Sequence, residues 1–172
     1  MFMETRPGAR TTQDRATRIE TNVVPIEAPL HAQSIKLMEF WQRHCRDGRL
    51  LSRSDLPCRE AAPFLPSVFV LEPMDGEGHD WRLRVVGTTL TRWLDFDPTG
   101  MTIREIYHPA TVDKDAAIYR MVTRERRSHI TQGRLCGVGR DFLSLEIVHL
   151  PMEGASPDEI LLLGCISIFA EK

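Results

Sequence analysis

Apolar and charged residues alternate along Trp81-Arg-Leu-Arg-Val85, the period of two that marks a strand with one buried face. The alternation ends at Gly87, and Thr88 to Leu94 reads as a short helix, so the chain turns back over its own sheet there. Ser67 to Glu72 is a β-branched and aromatic run, hence a strand, and the Gly and Asp residues of Pro73–Asp80 supply a hairpin loop between the two. Upstream the period lengthens: Leu37, Met38, Trp41 and Cys45 recur at helical spacing, and Gly48 supplies a stop. This predicts an amphipathic helix over 31–47 with Lys36, Glu39, Gln42, Arg43 and Arg46 outside. Phe40 falls off the main stripe and is available to a symmetry partner.

Asp55 and Pro57 are placed to start a short helix that reaches about Phe64. Thr102 to Tyr107 reads as a short helical segment, and His108-Pro109 opens a longer helix to about Arg127, with Val112, Ala116, Tyr119 and Val122 on one stripe. The last third predicts three antiparallel strands, 129–136, 142–150 and 159–170, joined by a turn at Gly137–Asp141 and a loop at Pro151–Pro157. Both parities are apolar between Ile160 and Phe169, which suits a central strand. Residues 1–30 carry only scattered apolar side chains and read as a flexible arm, leaving 31–172 as a single domain.

Charge changes little in this picture. Lys plus Arg total 22 against 24 Asp plus Glu, a net charge of −2, so nothing in the overall balance favours nucleic acid or an anionic membrane as partner. No apolar run reaches the ~18 residues of a spanning helix, and Cys45, Cys58, Cys136 and Cys165 show no Cys-x-x-Cys spacing. A reduced, cytoplasmic setting is expected.

Two strands, several short helices and one longer one, then three strands, together with an ordered set of motifs, give the chain a family likeness. Trp41 closes the first helix, followed by Arg53, Asp55 and Pro57, by Leu65-Pro66 before the first strand, by Arg82, Arg84, Gly87 and Thr88, by Gly100, and by Leu150-Pro151. In these residues the chain resembles a bacterial family of small, often free-standing PAS domains, over about Leu37 to Phe169. The resemblance implies an α+β PAS fold: a five-stranded antiparallel sheet with helices over one face, here with an added N-terminal amphipathic helix, enclosing a cavity that holds a ligand, a cofactor or only side chains. It implies no single chemistry and carries over no catalytic residue.

The cavity candidates are Trp93, Tyr107, Tyr119, Met121, Ser144, Leu163 and Cys165, aromatic, apolar and small polar side chains of the kind that line an apolar pocket, or that fill a core. Trp41, Asp55, Arg82, Arg84, Gly87 and Thr88 are read as structural or signalling positions; Asp55 and Glu72 are the carboxylates that the family geometry brings nearest the two arginines, which are read as tying Asp55 and the N-terminal segment to the sheet. Haem is known in PAS domains and would need an axial ligand, for which His108 is the one candidate; a surface or capping role for His108 is favoured. No flavin-type cysteine helix is present, and Cys136 and Cys165 read as core thiols. An enzyme would need an acid–base pair such as His149 with Glu146 or His108 with Asp113, and the odd separation of Glu146 and His149 sends them to opposite faces of one strand. The reading that results is a stand-alone sensory domain that binds a small molecule or a partner and signals through a homodimer formed by the N-terminal helix or through a separate signalling protein. The alternative is an interaction module with a filled core, and a third reading is a small cup-shaped isomerase or cyclase.

Overall fold

A computed structural model describes residues 19–56, 58–137 and 143–169. The first eighteen residues of the expected arm, Pro57, the centre of the turn at 138–142 and Ala170 lie outside the described residues. The elements in chain order are β1 (Glu20–Ile26), α1 (Ala32–His44), β2 (Val68–Pro73), β3 (Trp81–Val86), α2 (Thr88–Leu94), α3 (Ile103–Ile106), α4 (Pro109–Glu125), β4 (His129–Cys136), β5 (Leu145–Glu153) and β6 (Ile160–Ile168). Two short 3-10 turns, Arg53–Asp55 and Leu65–Ser67, lie between α1 and β2.

The sheet is antiparallel and has six strands, in the order β1-β4-β5-β6-β2-β3, where five were expected. The sixth is β1, from within the segment read as an arm. It pairs with β4 from Glu20↔Cys136 to Ile26↔Ile130 and buries Thr21 and Val23 at a period of two. Its signal is weak because a polar Thr and a prolyl residue, Pro25, interrupt what would otherwise be an alternating apolar run.

Each face of the sheet has its own core. Val68, Val70, Val148, Leu150, Leu161, Leu163 and Cys165 face α1 and the segment after it, whereas Phe69, Leu71, Trp81, Leu83, Leu145, Ile147, Leu162 and Ile166 face α2, α3 and α4. Helices therefore cover both faces rather than one. The first helix closes the back of the sheet with Leu37, Met38, Phe40 and Trp41. Phe40 is 0% exposed, so it is not the free surface expected for a symmetry partner. The residues after Leu56 wrap the flank of α1 and bring Phe64 to it, with ring centroids 6.1 Å apart, which gives the helix a second buried side. Those residues form turns where a helix from Asp55 to Phe64 was expected.

Several of the motif positions meet in space. Trp41 Nε1 donates to Pro151 O at 2.9 Å, joining the end of α1 to β5. Gly87 N donates to Val68 O at 2.7 Å, and a Cβ on Gly87 would stand 2.3 Å from Pro66 O, so only glycine lets the β3–α2 junction pass over Leu65-Pro66. Asp55 is used locally: its carboxylate accepts from Ser52 N at 3.0 Å in a capping box. Of the two carboxylates expected near the arginines, Arg84 takes Glu72 on the neighbouring strand at 2.5 Å, bridging β3 to β2, and not Asp55.

Candidate functional site

The α2–α4 side of the sheet holds a partly open apolar cavity of about 80 Å³. Its walls are Phe69 and Leu83 from the sheet edge, Leu90 and Trp93 from α2, Ile106 and Tyr107 at the end of α3, Leu145 and Ile166 from the central strands, and Ile19 just ahead of β1. Leu94, Leu135, Leu143 and Ile168 form a half-exposed rim. Among the described residues no charged side chain lines it. A dry apolar void of about 150 Å³ accommodates benzene, so this one is roughly half that size.

A layer of buried polar groups lies behind the apolar wall. The Tyr107 and Tyr119 hydroxyls are 3.4 Å apart. Thr21 Oγ1 on β1 donates to Asp115 Oδ2 on α4 at 2.7 Å, and Asp115 is 3% exposed. Burial pushes the Asp115 carboxyl up to about 6, against the Thr21 hydrogen bond and the Lys114 charge, which both lower it. Burial and the nearby Asp115 also hold the Tyr107 hydroxyl above its ordinary range, and burial with the adjacent Tyr107 does the same to Tyr119. The two phenols are therefore neutral hydrogen-bond partners at any physiological pH. The ring of His149 lies 5.9 Å from that of Tyr119, and burial, with His129 beside it, lowers its pKa to about 3. Neither His149 Nδ1 nor Thr131 Oγ1 makes a hydrogen bond within the described residues.

Of the residues singled out by pattern, Trp93 and Tyr107 line the cavity. Tyr119 stands one layer behind, joined to it through Tyr107. Met121 lies on the outer side of α4 in an open groove with Val23, His129 and Thr131, and Ser144 is exposed. Leu163 and Cys165 point to the opposite face, against α1. Burial pushes the Cys165 thiol up to about 12. In a strand whose two parities are both apolar the pattern does not say which parity meets which layer, and Leu162 and Ile166 turn out to face α2–α4. Pattern reading also passed over Ile19, Phe69, Leu90 and Asp115. The last carried a usable signal, since an acid at the i+3 position from Val112, inside the apolar stripe of α4, has to be buried with a partner.

His108 stands outside the cavity. Its ring Nδ1 accepts from Ala110 N at 3.2 Å and caps α4, and a void of about 80 Å³ does not hold a haem macrocycle. Glu146 faces α1, where it accepts from Leu30 N at 2.8 Å and His31 N at 3.2 Å, while the His149 ring lies against Tyr119 on the other face. Asp113 pairs with Arg104 at 2.8 Å, away from the His108 ring nitrogen that caps α4.

An antiparallel sheet with a cup of short helices and one long helix over an apolar cavity defines a class of small sensory and interaction modules. A family model described as PAS domain matches residues 30–167, which is 138 of the 172 residues, and the chain belongs to that family. No curated protein and no solved structure matches it. Among the described residues no helix is long and apolar enough to cross a membrane, and no group of three or more His, Cys, Asp or Glu side chains is placed to hold a metal ion.

Proposed function

We propose that this PAS domain is a ligand-responsive sensory module whose cavity takes a small, uncharged, largely apolar molecule. The observation that carries this reading is the void itself, walled by aliphatic and aromatic side chains, Tyr107 among them. A charged guest would lose its hydration there without gaining a partner. The Tyr107–Tyr119 hydroxyl pair lies behind that wall, so the guest is held by apolar contact.

A second reading, an interaction module with a nearly filled core, draws on one specific observation: about 80 Å³ is small beside the ~300 Å³ or more of most ligand pockets. Output through a separate signalling protein in the cytoplasm fits either reading better than a homodimer through α1. The apolar side of α1 is committed to the sheet, and around it only Leu30 and Ile35 are large exposed hydrophobics among the described residues. Addition of benzene to labelled protein, with benzoate as the charged control, separates the two readings by NMR. Shifts at Leu90, Tyr107 and Ile166 with benzene alone support the sensor. No shift at any cavity residue supports the filled core.

A further inference from the structure

We propose that β1 is a releasable strap on the cavity, and that a guest larger than the void is reported as loss of β1 from its seat on β4 and α4. The inference rests on the cavity reading above and specifies how that site is read out. Residues 19–26 lie outside the segment, 30–167, that the PAS model matches.

The geometry joins the strap to the cavity directly. Ile19 is one of the cavity walls, and its carbonyl accepts from His108 N at 2.8 Å, so the start of β1 is stitched to the backbone beside Tyr107, another wall residue. Two residues on, Thr21 donates to the buried Asp115, and two further on, Val23 O accepts from Lys114 Nζ at 3.0 Å. The first attachment lies beside the wall residue Tyr107, and the other two are to α4, which stands behind that wall and meets it through the Tyr107–Tyr119 contact. Below, the strand lies so close to β4 that a Cβ on Gly133 would stand 2.0 Å from Asn22 O. Only glycine admits β1 at that distance. The strand is also the end of the sheet, held by a single neighbour, whereas β5 and β6 in the opposite wall are paired on both sides.

A cavity of about 80 Å³ takes xenon, whereas benzene, which fits a void of about 150 Å³, is seated fully only if a wall moves outward. The wall formed by Ile19 opens at the cost of local strand pairing, and the Thr21–Asp115 bond sets how firmly it closes. The titratable groups interacting with Asp115 are Lys114 beside it on α4, Tyr119 further along α4, and Tyr107 at the α3–α4 junction; Asp113, Arg120, Arg124 and Glu125 on α4, Glu20 on β1, and His129, Arg134, Cys136, Glu146, His149 and Glu153 on β4 and β5 complete the ionisable groups of the elements around it. Asp115 is held in its neutral form more strongly when buried than when β1 leaves and water reaches it. A carboxyl that is harder to ionise in the seated state favours the seat at low pH and loosens it as pH rises.

Hydrogen exchange of the full chain, followed by mass spectrometry on peptides covering 19–26, tests the strap, with NMR shifts of Leu90 and Tyr107 reporting entry. Under xenon β1 stays protected, whereas benzene removes its protection. Without guest, opening corrected for intrinsic exchange rises about tenfold from pH 5 to pH 8, from a shift between about 6 seated and ~3.9 solvated. Asp115→Asn abolishes that pH dependence and keeps the benzene response. Gly133→Ala leaves 19–26 unprotected without guest. Cavity shifts with benzene at unchanged exchange over 19–26, or a response confined to 88–94, overturn the strap and leave the cavity reading standing. Absence of cavity shifts overturns both. A wild-type pH response that Asp115→Asn retains also overturns the strap.

Discussion

Asp115→Asn makes the buried carboxyl measurable as a pH-dependent difference in global stability. Asp115 has a pKa of about 6 when folded, against ~3.9 for an exposed aspartate. Between those values the folded chain binds more protons than the unfolded one, so the sign is opposite to that of a salt-bridged acid: stability is lost as pH rises through this window. The full shift corresponds to about 3 kcal/mol, of which about 1.4 kcal/mol falls between pH 5 and pH 7.5. Asparagine retains an oxygen that accepts from Thr21 and does not titrate. Urea denaturation of both proteins at the two pH values therefore predicts that the variant gains about 1.4 kcal/mol on wild type as pH rises. Taking the difference between the proteins removes contributions common to both, such as those of Glu72, Asp75 and Asp97, whose pKa values are lowered by hydrogen bonds and whose effect runs the other way. A gap that stays constant, or narrows with rising pH, would refute the claim that Asp115 is buried as an uncharged acid.

Other substitutions separate the two cores. Leu163→Ala removes a side chain packed between the sheet and α1 and should lower stability by about 2–5 kcal/mol in calorimetry while leaving benzene-induced shifts at Tyr107 in place. Phe40→Ala should cost about 3–5 kcal/mol by denaturant titration, and deletion of residues 1–48 should yield aggregated or unfolded protein in sedimentation rather than a folded monomer. Gly87→Ala should destabilise by about 1–3 kcal/mol, because its methyl would meet backbone at Pro66 that has no free end to swing aside. Cys165 should resist thiol reagents at pH 8 until the chain unfolds, since burial keeps it as a thiol; labelling as fast as a free cysteine would place it elsewhere.

How far the sequence reveals this architecture differs from element to element. The β2–β3 hairpin and α4 are plain in the pattern because one side of each meets solvent, and that contrast is what periodicity reports. The sixth strand is hidden because β1 seats itself through Thr21, a polar residue whose burial depends on an aspartate 94 positions away. Phe40 reads as spare because a helical stripe assumes one packed side, and the turns after Leu56 give α1 two. The cavity was half legible: Trp93 and Tyr107 are aromatic and conspicuous, whereas the facing wall comes from β5 and β6, where both parities are apolar and the assignment of face follows from register alone. Leu163 and Cys165, on the parity that meets α1, therefore lie away from the cavity. The motif positions were visible as a set, but their cause is tertiary: Trp41 needs Pro151, and Gly87 needs Pro66.

The central claim, a guest site inside the helical cup, is tested most directly by a crystal held under xenon pressure. The account predicts a xenon peak between Phe69, Leu90, Tyr107 and Ile166, with Ile19 and β1 unmoved. Density for xenon only on the α1 side of the sheet, or none within the domain, would contradict it.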